Sequence, residues 1–136
     1  MSGQRVSATL RAAVERRANG RCEYCLVPGD AVMWPHEPDH VIAEQHGGAT
    51  ELPNLALACF HCNRRKGPNL VSVDPETREV VLLFNPRTQP WAEHFRTERT
   101  RIVPLTPTGR ATVALLRLNS PERLLIRQAL RQVGRW

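Results

Sequence analysis

At 136 residues the chain has room for one ordinary domain with a modest core, and 41% apolar with 24% charged residues is a globular composition. No apolar run approaches the ~20 residues of a membrane span. The opening M-S-G-Q-R-V-S has no apolar signal core, so no membrane association is expected and the expected compartment is the cytoplasm. The formal charge of +6 comes mostly from Arg, which suits bidentate phosphate contacts and points towards a polyanionic partner.

In chain order, residues 7–19 predict a helix. Ser7 can cap it, Leu10, Ala13, Val14 and Ala18 form an apolar stripe, and Gly20 ends it. Its other face carries Arg11, Arg16 and Arg17, either a solvated surface or a phosphate grip. A knuckle at Cys22–Cys25 leads into a Pro-Gly turn. Residues 31–34 and 39–43 read as two short strands, with Pro35 and Pro38 restricting what lies between. His46-Gly47-Gly48 opens a loop that runs to Asn54. The apolar run 55–58 then leads into Cys59, and a short helix over 60–66 is stopped by Gly67 and Pro68.

The texture changes after residue 68. Val71–Val73 and Val80–Phe84 flank the turn signal D-P-E-T, which predicts a hairpin. Residues 91–95 read as a short turn or helix, 100–105 as a strand, and 107–118 as a helix. Ser120-Pro121-Glu122 starts a last helix that ends at Gly134. There is no repeat or flexible linker. The expectation is a single α+β domain over 1–136: an N-terminal helix in 1–21, a metal-stapled core in 22–68, and a packed extension in 69–136 made of a hairpin and helices.

The four cysteines form two C-x-x-C pairs, Cys22/Cys25 and Cys59/Cys62. In a reducing compartment such pairs read as a zinc site rather than as disulfides. Four thiolates satisfy tetrahedral zinc completely and leave no open position, so the ion's role would be structural. The segment between the pairs is longer than the ~15–20 residues of simple ribbons, and it holds the residues suited to chemistry. Asp39 and His40 are adjacent, so on a strand their side chains point to opposite faces. A carboxylate can hold a hard cation while an imidazole takes a proton near neutral pH.

The string C-E-Y-C … D-H-V … G-G … N-L-A-L-A-C-F-H-C-N-R-R-K-G closely resembles the HNH endonucleases of the ββα-metal fold, with every motif element in order over 22–67. The resemblance implies a metal-dependent hydrolysis of phosphodiester bonds in DNA, with RNA left open, yielding 5′-phosphate and 3′-hydroxyl ends. It implies His40 as general base and Asn54 as the support of the loop facing it. It also implies Asp39 and Asn63 as ligands of a catalytic divalent cation. Asn63 stands where the family name has His, giving an H-N-N form. An amide oxygen favours Mg²⁺ or Mn²⁺, with Ni²⁺ or Zn²⁺ as further options. Arg64, Arg65 and Lys66 on the same short helix are candidate DNA contacts. Another function class fits the same residues less well, a zinc-stabilised module that binds nucleic acid without cutting it.

Overall fold

The computed structural model describes residues 6–136; residues 1–5 of the expected N-terminal segment lie outside them. Helix α1 (Ala8–Arg17) starts where Ser7 Oγ accepts from Leu10 N at 3.1 Å. It buries Val14 against Leu55 and Leu57, with Leu10 and Ala18 packed beside them. Two of its arginines hold it down. Arg17 donates to the carbonyls of Leu52 and Leu55, and Arg11 pairs with Glu37 at 2.9 Å. The basic face of α1 is therefore partly engaged within the fold.

Strand β1 (Glu37–His40) pairs antiparallel with β2 (Leu55–Ala58), which sets Asp39 opposite Ala56 and His40 opposite Leu55. Helix α2 (Phe60–Lys66) follows directly, with Cys59 as its N-cap and Gly67 ending it at φ +52°. This is the ββα unit expected over 22–68. The expected boundaries shift, however. Residues 31–34 form no strand: a single helical turn at Gly29–Ala31 gives way to bends, leaving Met33 and Trp34 exposed. An apolar tetrapeptide closed by Pro35 has no strand beside it to pair with, so burial and pairing fall to residues 37–40 instead. Pro38 is tolerated there because the sheet has two strands only, and its missing donor faces no partner. The strand ends at His40 rather than Ala43 because the Asn54 side chain takes over the backbone of Ile42.

All four residues of β2 are buried because both faces of the strand are covered. Leu55 and Leu57 point towards α1, while Ala56 and Ala58 join a second cluster. That cluster holds the four cysteines, Tyr24 and Val27 together with Phe84, Phe95, Ile102, Leu116 and Leu118 from the extension. The expected hairpin is present as β3 (Val71–Val73) and β4 (Val80–Leu82). The turn between them is organised by Asp74, which accepts from Glu76 N and Thr77 Oγ1, and from both arms of Arg110 at 2.9 and 2.8 Å. Helix α3 (Trp91–His94) is shorter than expected, because Phe95 turns inward and starts β5 (Phe95–Glu98), paired with β6 (Arg101–Pro104). Helices α4 (Pro107–Leu116) and α5 (Pro121–Gln132) complete the α+β arrangement.

Candidate metal centre and active site

The four cysteine sulfurs lie within 4.8 Å of one another, and every one of these residues is fully buried. Cys25 Sγ and Cys59 Sγ are 3.6 Å apart. That is far too long for a disulfide, whose sulfurs lie about 2 Å apart. It matches the roughly 3.8 Å edge of a tetrahedron with Zn–S bonds of about 2.3 Å. Each C-x-x-C turns its backbone onto its own first sulfur: Cys25 N donates to Cys22 Sγ and Cys62 N to Cys59 Sγ at 3.3 Å. Such bonds stabilise thiolate, the species that binds metal. Burial pushes the Cys22 and Cys62 thiols up, whereas the Cys22 thiol pulls Cys59 and Cys25 down, so the cluster shares protons that a divalent cation displaces. The donor set and spacing fit a closed structural zinc site.

The residues of the expected active site hang on this frame. The Asp39 carboxylate is buried, and its Oδ2 receives Tyr24 Oη at 3.3 Å and Lys66 Nζ at 3.2 Å. Burial pushes the Asp39 pKa up, against the opposing pull of the Lys66 ammonium. Both partners address one oxygen, which leaves Oδ1 without a partner among the described residues. On the other face of β1, half-buried His40 shares a 2.8 Å hydrogen bond between its Nε2 and Thr50 Oγ1. Asn54 fixes the loop that carries Thr50. Its Oδ1 accepts from Ile42 N, and its Nδ2 donates to the carbonyls of Ile42 and Ala49, each at 2.9 Å. Gly48 lets the loop close this tightly, since a Cβ there would lie 1.6 Å from the Ile42 carbonyl oxygen.

Asn63 is half-buried on α2, and its side-chain amide makes no hydrogen bond among the described residues. Arg64 and Arg65 are exposed on the same helix, and the Arg64 guanidinium lies 6.0 Å from the Phe60 ring centroid. Lys66 requires a correction. The sole lysine of the chain is buried rather than presented to solvent, and its ammonium is spent on Asp39 and on the His40 carbonyl at 3.1 Å. It cannot join Arg64 and Arg65 as a surface phosphate contact. At the end of a helix that turns back over β1, its long stem reaches the buried Asp39 carboxylate and pairs with its Oδ2.

His36 and His61 serve the frame. His36 is buried and donates from Nε2 to Val27 O at 2.8 Å, on the knuckle side. His61 donates to Leu116 O at 2.8 Å, away from Asn63 as helix geometry requires. Sequence reasoning did not single out Tyr24, Thr50 or the buried role of Lys66. A Tyr inside a C-x-x-C and a Thr just after Gly-Gly are their only local signals.

The site thus joins a four-cysteine cluster fitted to zinc, an antiparallel β-pair and a helix, with Asp39 and His40 adjacent on the first strand. Residues 22–69 match the family model described as HNH endonuclease, and that segment is the whole ββα unit with its cysteine frame. No curated protein and no solved structure matches the chain.

Proposed function

We propose that the protein is a metal-dependent endonuclease that hydrolyses phosphodiester bonds of DNA. The observation that carries this reading is the division of labour on β1. Asp39 is turned inward to Tyr24 and Lys66, while His40 is half-exposed and tied to a loop that Asn54 holds rigid. A non-catalytic module needs neither an oriented imidazole nor a stapled loop opposite it.

In this reading His40 takes a proton from the attacking water, and its bond to Thr50 fixes the ring for that transfer. Asn54 keeps the loop facing the base in place. The free Oδ1 of Asp39 and the unengaged amide oxygen of Asn63 are hard donors that fit Mg²⁺ or Mn²⁺. A cation held there would neutralise charge developing on the scissile phosphate and the leaving oxygen. Arg64 and Arg65 supply exposed guanidinium groups for phosphate on the adjoining helix surface.

One observation favours the alternative, a zinc-stabilised module that binds nucleic acid without cutting it. Lys66 already provides Asp39 with a positive partner, so the carboxylate is neutralised without a second metal. Plasmid relaxation with Mg²⁺, Mn²⁺ or Ni²⁺ separates the two. Cleavage by the wild type and a loss of about 10²–10⁴ in rate for His40→Ala, with zinc content and DNA binding unchanged, is the expected outcome. Intact DNA binding with no cleavage under any of these metals would establish the binding module.

A further inference from the structure

The positive charge of the chain is unevenly placed. Residues 69–136 hold eleven arginines against six carboxylates, whereas residues 1–68 are nearly balanced, with eight cations against seven carboxylates. The surplus therefore lies outside the segment that carries Asp39 and His40. Three of these eleven arginines also meet Arg21 in one place. Arg21, Arg99, Arg131 and Arg135 line a single open cleft of about 540 Å³, together with Leu26 and the indole of Trp136. None of the residues lining the cleft is acidic, and none is Asp39, His40, Asn54 or Asn63.

Most of this charge is not neutralised from within. Arg21 donates to the carbonyls of Leu26 and Arg135, which orients its guanidinium without cancelling its charge. Arg135 alone has a carboxylate, Asp30 at 2.7 Å, and that pair is largely exposed. The side chains of Arg99 and Arg131 have no hydrogen-bond or ion-pair partner among the described residues. Like charges gathered in a concave surface repel one another more than the same charges spread over an open face. A ligand of opposite charge relieves that repulsion.

The turn that presents Arg99 adds an independent observation. Arg99 sits between β5 and β6 with φ +55°, a conformation that glycine or asparagine adopts more readily. The turn is clamped in that shape, because Trp136 Nε1 donates to Arg99 O at 2.8 Å and the Arg127 guanidinium lies 5.3 Å from the indole centroid. An arginine is kept at a position where glycine would relax the backbone, at the rim of a cleft rich in arginine. Such strain persists where the surrounding structure over-determines it, as the Trp136 contact does here.

We propose that this cleft is a second nucleic-acid contact, which binds the phosphodiester backbone of a strand through Arg99 and Arg131, with Trp136 and Leu26 as the apolar wall for a sugar or base. Guanidinium forks match phosphate oxygens two at a time, and an indole offers a flat face that tolerates any base. The cleft would anchor substrate away from the hydrolytic centre. It rests on the nuclease reading only in taking nucleic acid as the polyanion.

The test uses the full-length, zinc-loaded protein without Mg²⁺, so that nothing is cut, and a fluorescein-labelled 20-base-pair duplex read by anisotropy over a series of NaCl concentrations. Each phosphate contact contributes about 0.9 to the slope of log K against log [salt]. Arg99→Gln/Arg131→Gln should therefore lower the slope by about 1.8 and weaken binding about 30-fold at 0.15 M salt. Arg99→Gly should melt at or above the wild-type temperature while still weakening binding, because it relieves the backbone and removes the guanidinium together. An unchanged slope in both variants, or binding that fails only in Arg64→Gln/Arg65→Gln, overturns the proposal. So does a double variant that loses affinity for phosphatidylserine vesicles while keeping that for the duplex. Plasmid cleavage by the wild type in a parallel assay with Mg²⁺, together with an unchanged slope, sinks the cleft alone. The expected slope without cleavage by the wild type sinks the nuclease reading alone.

Discussion

The Lys66–Asp39 pair offers the sharpest test of how the site is built. Lys66 Nζ lies 3.2 Å from Asp39 Oδ2, and the side chains are 3% and 7% exposed. At that separation the attraction is about 5 kcal/mol for an effective dielectric constant near 20. Desolvation offsets most of it, so the net worth of the pair is small, but the two groups cannot be separated cheaply. Lys66→Met removes the ammonium and keeps the stem. It leaves the Asp39 carboxylate buried with Tyr24 as its one donor, and this should cost about 3–5 kcal/mol, or about 10–15 °C in Tm. Adding Asp39→Asn removes the stranded charge. The double variant should recover to within about 1–2 kcal/mol of wild type. Urea denaturation of the zinc-loaded proteins measures both. A loss below about 1 kcal/mol for Lys66→Met, or a double variant no more stable than the single one, would show that the pair is not the buried, mutually dependent unit described here.

Three further outcomes are expected. The native protein should carry one zinc, released when its thiols are blocked. Stripping it with a strong chelator should unfold the chain cooperatively in near-ultraviolet circular dichroism, because a structural zinc contributes about 10–16 kcal/mol of apparent binding free energy. Asn54→Ala deletes three hydrogen bonds that close the 42–54 loop; it should cost about 2–3 kcal/mol in urea and lower cleavage more than DNA binding. The Arg110 guanidinium holds the Asp74 carboxyl well below the usual carboxylate range. A depressed carboxyl stabilises the fold fully above its unfolded value of about 3.9 and loses that contribution as pH falls through the folded value. The stability gap between wild type and Asp74→Asn should therefore be widest near neutrality and shrink below about pH 4, as read from urea midpoints.

The cysteine frame was legible in the sequence because zinc coordination is local chemistry. Two C-x-x-C pairs predict a closed cluster whatever the fold between them, and the sulfurs do converge within 4.8 Å. The ββα unit was legible for a related reason, since its elements are short and bounded by Cys59, Gly67 and Pro68. The first strand was misplaced because hydrophobicity and pairing disagree there. Ala31–Trp34 is the more apolar tetrapeptide, yet Glu37–His40 is the one that reaches β2. Lys66 was misread because a lone lysine between arginines and a glycine looks like surface, and only its three-dimensional proximity to Asp39 reveals otherwise. The short strand at Phe95–Glu98 was hidden by the adjoining W-A-E-H helix, whose periodicity dominates the window.

What the extension does for the core follows from where its contacts land. Arg87 pairs with Glu23, whose other oxygen accepts from Leu57 N at 2.8 Å, so one side chain inside the first C-x-x-C ties the extension to β2. Trp91 Nε1 donates to Tyr24 O at 3.0 Å, fixing the residue whose hydroxyl reaches Asp39. His61, inside the second C-x-x-C, donates to the end of α4. Arg123 of α5 places Nη1 4.0 Å from Cys25 Sγ, and its partly buried guanidinium faces a cluster that carries two net negative charges once zinc is bound by four thiolates. Each half of the zinc frame is thus gripped from the C-terminal side, and one of the grips passes through Tyr24, which contacts Asp39. Pure packing would need only the apolar contacts of Phe84, Phe95 and Leu116. Polar links to Glu23, Tyr24, His61 and Cys25 fix orientation as well as proximity, which is what a carboxylate and an imidazole on one four-residue strand require.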